Sequence, residues 1–312
     1  MEGVVSIPKV ELHCHLIGTI SPRLLRTLQI EGYDVLVEPD DLARTLPIRT
    51  SRDFTRWLDV MKPYQSASYK HYIPILRAHL AHLARQKVIY TELMVSPLML
   101  PKDRPAQHNA LRQLRAVCEE STVETALLMV LPRSLAKHKA IADMHQFLEM
   151  WQHKLIAGVA VVGLETGAPL DNLLGALRMA QAAGMGIEIH AGEHGHTDAV
   201  HEAIFKGGAA RIGHGLAAFN DPSLLSVIAE RGIHLEFCLT SNIKTQAISE
   251  LSDHPITRAA ELGLSFSLNT DDPGAFECNL SDEFRLAEEL FGFDHATFNA
   301  IYAQAWNARF SP

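Results

Sequence analysis

The chain has 312 residues, 47% hydrophobic and 21% charged, a balance that supplies a sizeable core and excludes disorder or a fibrous architecture for the whole. Lys and Arg number 28 against 36 Asp and Glu, and the formal charge of −8 repels a phosphate backbone, which argues against a nucleic-acid partner. Cys14, Cys118, Cys238 and Cys278 form no close pair and read as buried small hydrophobes in a reducing compartment; with no leader pattern and no apolar run near the roughly 18 residues of a span, a cytoplasmic protein without membrane partners is expected.

Short β-branched or apolar runs follow one another at 10–13, 88–94, 124–131, 159–164, 186–190, 211–214, 233–237 and 264–268. Between them lie stretches of helical period, such as 72–85 with Ile75, Leu76, His79, Leu80 and Leu83, and 172–183 with Leu173, Leu174, Leu177 and Met179. Strand and helix alternating eight times predicts an α/β fold of the (β/α)8 TIM-barrel type, with extra helices inserted after the first strand in the long segment 21–87. There a capped amphipathic helix is expected from Ser51, Arg52, Asp53, Phe54, Trp57 and Met61, as core packing or as a lid over the barrel mouth. No Pro/Gly/Ser-rich linker interrupts the pattern, so 1–312 is read as one domain. A doubly wound nucleotide fold would need GxGxxG or GxxxxGK[ST], and neither occurs; Gly207-Gly208 reads as a helix terminator.

Side chains that bind metals gather where the expected strands stop, which is where a barrel keeps its functional groups. His13 and His15 are i and i+2 on an extended chain and share one face, so both rings reach a single ion. His190-Ala191-Gly192-Glu193-His194 follows the fifth run, its glycine permitting a tight turn that returns Glu193 toward His190. His214 stands between Gly213 and Gly215 after the sixth run, and Asn269-Thr270-Asp271-Asp272-Pro273 ends the eighth. Taken singly, each has a structural alternative: a chance pair on a half-buried strand, a solvated loop, an Asp-Asp-Pro turn. Three His and an Asp arriving from different strand ends form a donor set suited to zinc, with a His and a Glu left over for proton transfer. His79 and His82, on one expected helix, read as surface or satisfied core residues, and Met94 and Met99 as gap fillers or pocket lining.

The segments Pro8-Lys9-Val10-Glu11-Leu12-His13-Cys14-His15-Leu16, His190-Ala191-Gly192-Glu193, Arg211-Ile212-Gly213-His214-Gly215, Cys238 with Thr240-Ser241-Asn242, and Ser267-Leu268-Asn269-Thr270-Asp271-Asp272-Pro273 resemble the adenosine deaminase family and its adenine-deaminase relatives. Weaker echoes at Tyr90-Thr91-Glu92 and His254-Pro255-Ile256 extend the likeness over nearly the whole chain. The resemblance implies that His13, His15, His190 and Asp271 hold one Zn2+ per chain, making hydroxide available near neutral pH. It also implies that Glu193, His214 and Asp271 are catalytic: Glu193 protonates the ring nitrogen beside the amine-bearing carbon, and His214 orients the attacking oxygen. His15, Gly167 and Asp272 then contact the purine substrate, Gly167 through its backbone N–H.

Four departures from the family pattern bear on the substrate. Ile17 stands where the family usually has Asp or Glu, Met94 replaces a usually basic residue, Thr166-Gly167-Ala168-Pro169 is a reduced version of a substrate loop, and Leu239 replaces a proline. An apolar side chain accepts no hydrogen bond, so Ile17 points to a sugar region read differently or to an apolar group there. Adenosine, converted to inosine and ammonia, is the family default; adenine or another amino-heterocycle, a non-deaminating amidohydrolase and a non-catalytic relative are the other readings. A homo-oligomer is compatible with all of them.

Overall fold

The computed structural model describes residues 7–310. Eight strands, β1 (Lys9–His15), β2 (Val88–Val95), β3 (Glu124–Pro132), β4 (Gly158–Val162), β5 (Gly186–Ala191), β6 (Arg211–His214), β7 (His234–Phe237) and β8 (Phe266–Leu268), lie in sequential order, each parallel to the next. The ring closes through the Asp271 N–H, which donates to the His13 carbonyl at 3.0 Å, and the His15 N–H, which donates to the Asp271 carbonyl at 2.8 Å. Helices pack outside the strands, and extra helices, among them Pro22–Ile30, Ser51–Val60 and Tyr69–Arg85, fill the insertion after β1. The fold is therefore the expected TIM barrel. Among the described residues no helix is long and apolar enough to cross a membrane.

Several strand bounds differ from expectation for local reasons. β4 stops at Val162 because Gly163 turns to φ +102° and Leu164 is exposed. Ile233 and Leu264 look like strand starts but close the preceding helices: each follows a left-handed glycine, Gly232 or Gly263, and donates its N–H back to Ile228 or Ala259 at 3.0 Å. The expected helix 172–183 begins at Leu174, after a short tight turn at Leu170–Asn172. The helix Ser51–Val60 is capped by Thr50 rather than Ser51. Gly208, at φ +69°, ends the turn Ala203–Gly207 as anticipated. Cys14, Cys118 and Cys238 are buried, whereas Cys278 is only half-buried; all four are free.

The core has two layers. Leu, Ile, Val and Phe between strands and helices form the outer one, and Val10, Leu12, Tyr90, Met94, Leu128 and Ala160 fill part of the barrel interior. Along β1 the inner face changes hands. Its pairing with β2 runs Glu11↔Thr91 and then Cys14↔Leu93, so one extra residue is accommodated in β1. Val10 is interior before this bulge, and within it Leu12 and His13 both reach the interior, His13 against Glu188 and Glu236. The interior also holds buried charge: Arg211 pairs with Glu92 at 2.6 Å and Glu236 at 2.7 Å and lies 3.6 Å from the centroid of the Phe310 ring.

Candidate active site

His13 and His190 are oriented from behind by carboxylates. The His13 Nδ1 lies 2.8 Å from Glu236 Oε2, and the His190 Nδ1 lies 3.0 Å from Glu188 Oε1. A ring N–H that donates to a carboxylate leaves the opposite nitrogen, Nε2, with its lone pair free, the arrangement of a metal-ligating histidine. The His13 Nε2 is fully buried and has no hydrogen-bond partner. It faces Asp271 Oδ1 at 3.5 Å; the same oxygen is 3.4 Å from the His15 Nε2, which is 3.2 Å from the His190 Nε2. Ligand–ligand edges of a tetrahedral site with bonds of 2.0–2.1 Å are about 3.4 Å, so these four donors fit a zinc-sized cation. The Ser241 hydroxyl donates to Asp271 Oδ2 at 2.7 Å and so turns Oδ1 toward the rings. The structure thus brings His13, His15, His190 and Asp271 together.

Burial and neighbouring charge act strongly on the group. Burial opposes protonation of His13, but Asp271 and Glu236 outweigh it and hold its pKa well above the ordinary value. Burial, with His13 and His214 nearby, pushes His190 well below it, and burial pushes His15 down to about 3. Glu188 is pushed up to about 8 by burial and by Glu236. Asp271, although buried, is held well below the carboxylate range by His13, while burial and Asp271 push Asp272 well above it. A cation bound here would take the place of the proton that Asp271 and Glu236 favour on His13 and would leave its Nε2 as a lone pair.

Glu193 and His214 flank the donors. Glu193 follows Gly192 (φ +75°), and the loop is held by Glu165, whose carboxylate accepts the Gly192 N–H at 2.6 Å and the His194 N–H at 2.7 Å. Glu193 Oε2 is 3.8 Å from the His214 Nε2, and the Thr245 hydroxyl donates to Glu193 Oε1 at 3.4 Å. Ligand atoms of His214 lie within 4.8 Å of those of His13, His190 and Asp271. Gly213 supplies the clearance for this approach, since a Cβ there would meet Glu188 Oε1 at 2.5 Å and the His13 ring at 2.7 Å. Gly18 does the same for Asp272, whose Oδ1 is 2.0 Å from where an added Cβ would lie. The helix Ser51–Val60 reaches the site's edge: Phe54 packs on Phe276 at 5.2 Å between centroids, and Ser51 donates to the Thr245 carbonyl.

Not every expected residue joins the group. Gly167 sits in an exposed turn, and none of the described contacts links it to the His/Asp cluster. His79 is buried with its Nε2 3.9 Å from the Cys14 Sγ, and His82 is exposed. Met94 fills the barrel interior and Met99 the outer core. Sequence reasoning passed over Glu188, Glu236, Gly18, Glu165 and Arg133, which donates to the His190 carbonyl at 2.6 Å. One signal was available for the first two: each is a lone carboxylate inside an apolar strand, and such a charge is kept only with a partner.

A parallel eight-stranded barrel with His and Asp donors at the C-terminal ends of β1, β5 and β8 defines an amidohydrolase. More particularly, the Adenosine deaminase family profile matches residues 8–312, and the chain belongs to that family, hydrolases that act on C–N bonds in cyclic amidines. An adenine deaminase from Chelativorans sp. (strain BNC1) is 30% identical over 97% of this chain and 93% of the relative. An aminodeoxyfutalosine deaminase from Acidothermus cellulolyticus is 31% identical over 92% of this chain and 84% of the relative. The solved structure of an arabidopsis N6-mAMP deaminase superposes with a TM-score of 0.82 at 25% identity, covering 100% of this chain and 96% of that one.

Proposed function

We propose that the protein is a zinc-dependent hydrolytic deaminase of an aminopurine. The observation that carries this reading is the convergence of His13, His15 and His190 Nε2 with Asp271 Oδ1, beside Glu193 and His214. His13, His15, His190 and Asp271 would hold the zinc, which when bound would supply a water of lowered pKa as a nucleophile near neutral pH. His214 hydrogen-bonds the attacking oxygen and Glu193 delivers a proton to the ring nitrogen next to the carbon under attack. The water's oxygen bonds to that carbon and gives up its remaining proton as it becomes the product carbonyl; Glu193, left as a carboxylate by the first transfer, carries that proton to the amine, the C–N bond breaks and nitrogen leaves as ammonia. Asp272, held against Gly18, hydrogen-bonds the five-membered ring, and His15 borders the substrate as well as holding the metal. Gly167 is proposed as the backbone contact to the purine only if its turn closes over bound substrate. The organisation of 1–312 as one catalytic domain belongs to the same reading.

Adenosine remains the default substrate, but Ile17 favours a different occupant at the sugar end. It is half-buried at the start of the turn Ile17–Thr19, packs on the core, and offers no acceptor to a hydroxyl. That suits adenine, or a nucleoside carrying an apolar 5′ group, and the named activities of the adenine deaminase and aminodeoxyfutalosine deaminase relatives support such a range. The test is ammonia release by the zinc-loaded protein from adenosine, 2′-deoxyadenosine, 5′-modified adenosines, adenine, pterins and cytosine. Turnover of adenine or a 5′-modified nucleoside above adenosine is expected, with Ile17→Asp shifting preference toward adenosine; no ammonia from any purine contradicts the proposal.

A further inference from the structure

A chain of hydrogen bonds behind His214 begins at a donor whose identity is fixed. The backbone N–H of Ile256 points at the His254 Nδ1 at 3.2 Å. A main-chain N–H only donates, so the His254 Nδ1 must accept, and in the neutral ring the proton sits on Nε2. His254 is buried, edge-on to Phe237 at 4.9 Å between centroids, and burial pushes its pKa down to about 3, so the neutral ring is the relevant one. Its Nε2–H faces the Asn242 side chain at 3.3 Å. The atom there must be the amide oxygen, because a flipped amide would set N–H against N–H. The Asn242 Nδ2, 3.0 Å from the His214 Nδ1, is therefore the donor of that pair. His214 in turn accepts at Nδ1 and carries its proton on Nε2, the atom 3.8 Å from Glu193 Oε2.

This polarity is opposite to that behind His13 and His190. Their Nδ1 atoms meet carboxylates, Glu236 and Glu188, which accept a hydrogen bond from Nδ1–H and leave Nε2 as a lone pair. The His214 Nδ1 meets an amide N–H, which leaves Nε2 as a donor. Geometry alone groups His214 with His13, His190 and Asp271 as metal-binding atoms within 4.8 Å. The proton separates them.

We propose that His254 and Asn242 are positioning residues that lock His214 as its Nε2–H tautomer, making it a hydrogen-bond donor to the attacking oxygen and barring it from the metal. This rests on the deaminase reading above for what His214 touches, but not for which nitrogen carries the proton. Without the lock, His214 could turn a lone pair inward and compete as a ligand, and the group that stabilises the attacking oxygen would be lost.

The test begins with the zinc-loaded full-length protein, labelled with 15N at histidine and read by long-range proton–nitrogen correlation, the His214 signals being assigned by their loss in His214→Gln. A protonated Nε2 and an unprotonated Nδ1 are expected; a proton on Nδ1, on both nitrogens, or an Nε2 bonded to zinc overturns the proposal. Because this readout needs no turnover, it stands even if no aminopurine is deaminated. In Asn242→Asp the carboxylate can only accept, so the His214 proton should move to Nδ1, with kcat falling roughly 100-fold and KM changing far less. His254→Phe should lower kcat about tenfold, and His254→Gln, whose amide N–H can still donate to Asn242, should recover most of it. Full kcat in Asn242→Asp, or equal loss in both His254 variants together with loss of zinc, overturns the proposal.

Discussion

His214 and Asp271 both stand at φ +63°, in the left-handed region that costs a side-chain-bearing residue roughly 1 kcal/mol or more. Both lie at the ends of barrel strands, where that backbone turn aims a side chain across the mouth. The glycines around them supply space. Gly18→Ala is expected to cost about 1–3 kcal/mol and to displace Asp272, because the new methyl would also lie 2.6 Å from the Asp272 Cα, which is backbone and cannot swing away. Thermal denaturation together with KM checks this: a lower Tm and a raised KM are the expected pair. Glu193→Gln keeps the shape but not the transferable proton and should lower kcat by about 10²–10⁴-fold with metal content unchanged; near-full turnover removes Glu193 from the chemistry. The four proposed metal donors and His214 were legible because His13-x-His15, His190, His214 and Asp271 each stand at or just after the end of a strand run. The carboxylates behind them were less so: Glu188 and Glu236 show only as lone acids in apolar strands until the closed barrel turns β5, β7 and β1 toward one interior, where they meet His190 and His13.

Among the elements, β1 carries the least predictable feature. Alternation correctly placed His13 and His15 on one face, yet the inner residues of the same strand are Val10 and Leu12 on the other parity, and the bulge between Glu11 and Cys14 reconciles the two. No residue type announces that bulge; it arises from pairing with β2. Strand ends failed where an apolar residue served a helix instead, as at Ile233 and Leu264. Helix packing makes a further prediction at Glu283, on the helix Leu280–Phe291, whose carboxyl sits buried against the Thr240 N–H at 3.2 Å on the helix Leu239–Lys244. Burial outweighs the Thr240 hydrogen bonds and pushes its pKa up to about 7 from an unfolded value near 4.5. The folded state therefore binds more protons between these two values, and its contribution is full below about 4.5 and is lost as pH rises toward 7, at up to about 1.4 kcal/mol per pH unit. Denaturant titrations from pH 4.5 to 7.5 should show Glu283→Gln with a flatter profile and a relative gain near neutrality; an unchanged slope contradicts this assignment.

At the scale of the molecule, an apolar shell surrounds a barrel interior that is part apolar and part charged. Arg211, with Glu92 and Glu236 on either side and the Phe310 ring beneath, anchors the lower barrel, and Gly158 and Gly186 leave room for that ring at 3.0 and 2.4 Å from where a Cβ would stand. Glu236 links this layer to the site by holding His13 on its other oxygen, so barrel stability and donor orientation share one carboxylate. Fold class was legible from the eightfold alternation of strand and helix, because that pattern has few closed solutions. Substrate identity was less so: it depends on Ile17 and on loops that a barrel can vary without disturbing its chemistry. The proposed metal dependence rests on the donor geometry: a chelator should abolish turnover, with added zinc restoring it.

The central claim is that water replaces an amine on an aminopurine ring at this site. Its most direct measurement is the turnover of the preferred purine by the zinc-loaded protein in 18O-labelled water, with product mass and ammonia read from the same sample. One ammonia per product, with a single labelled oxygen on the carbon that bore the amine and the ring intact, is the predicted result. Labelled product with an opened ring and no ammonia would contradict it.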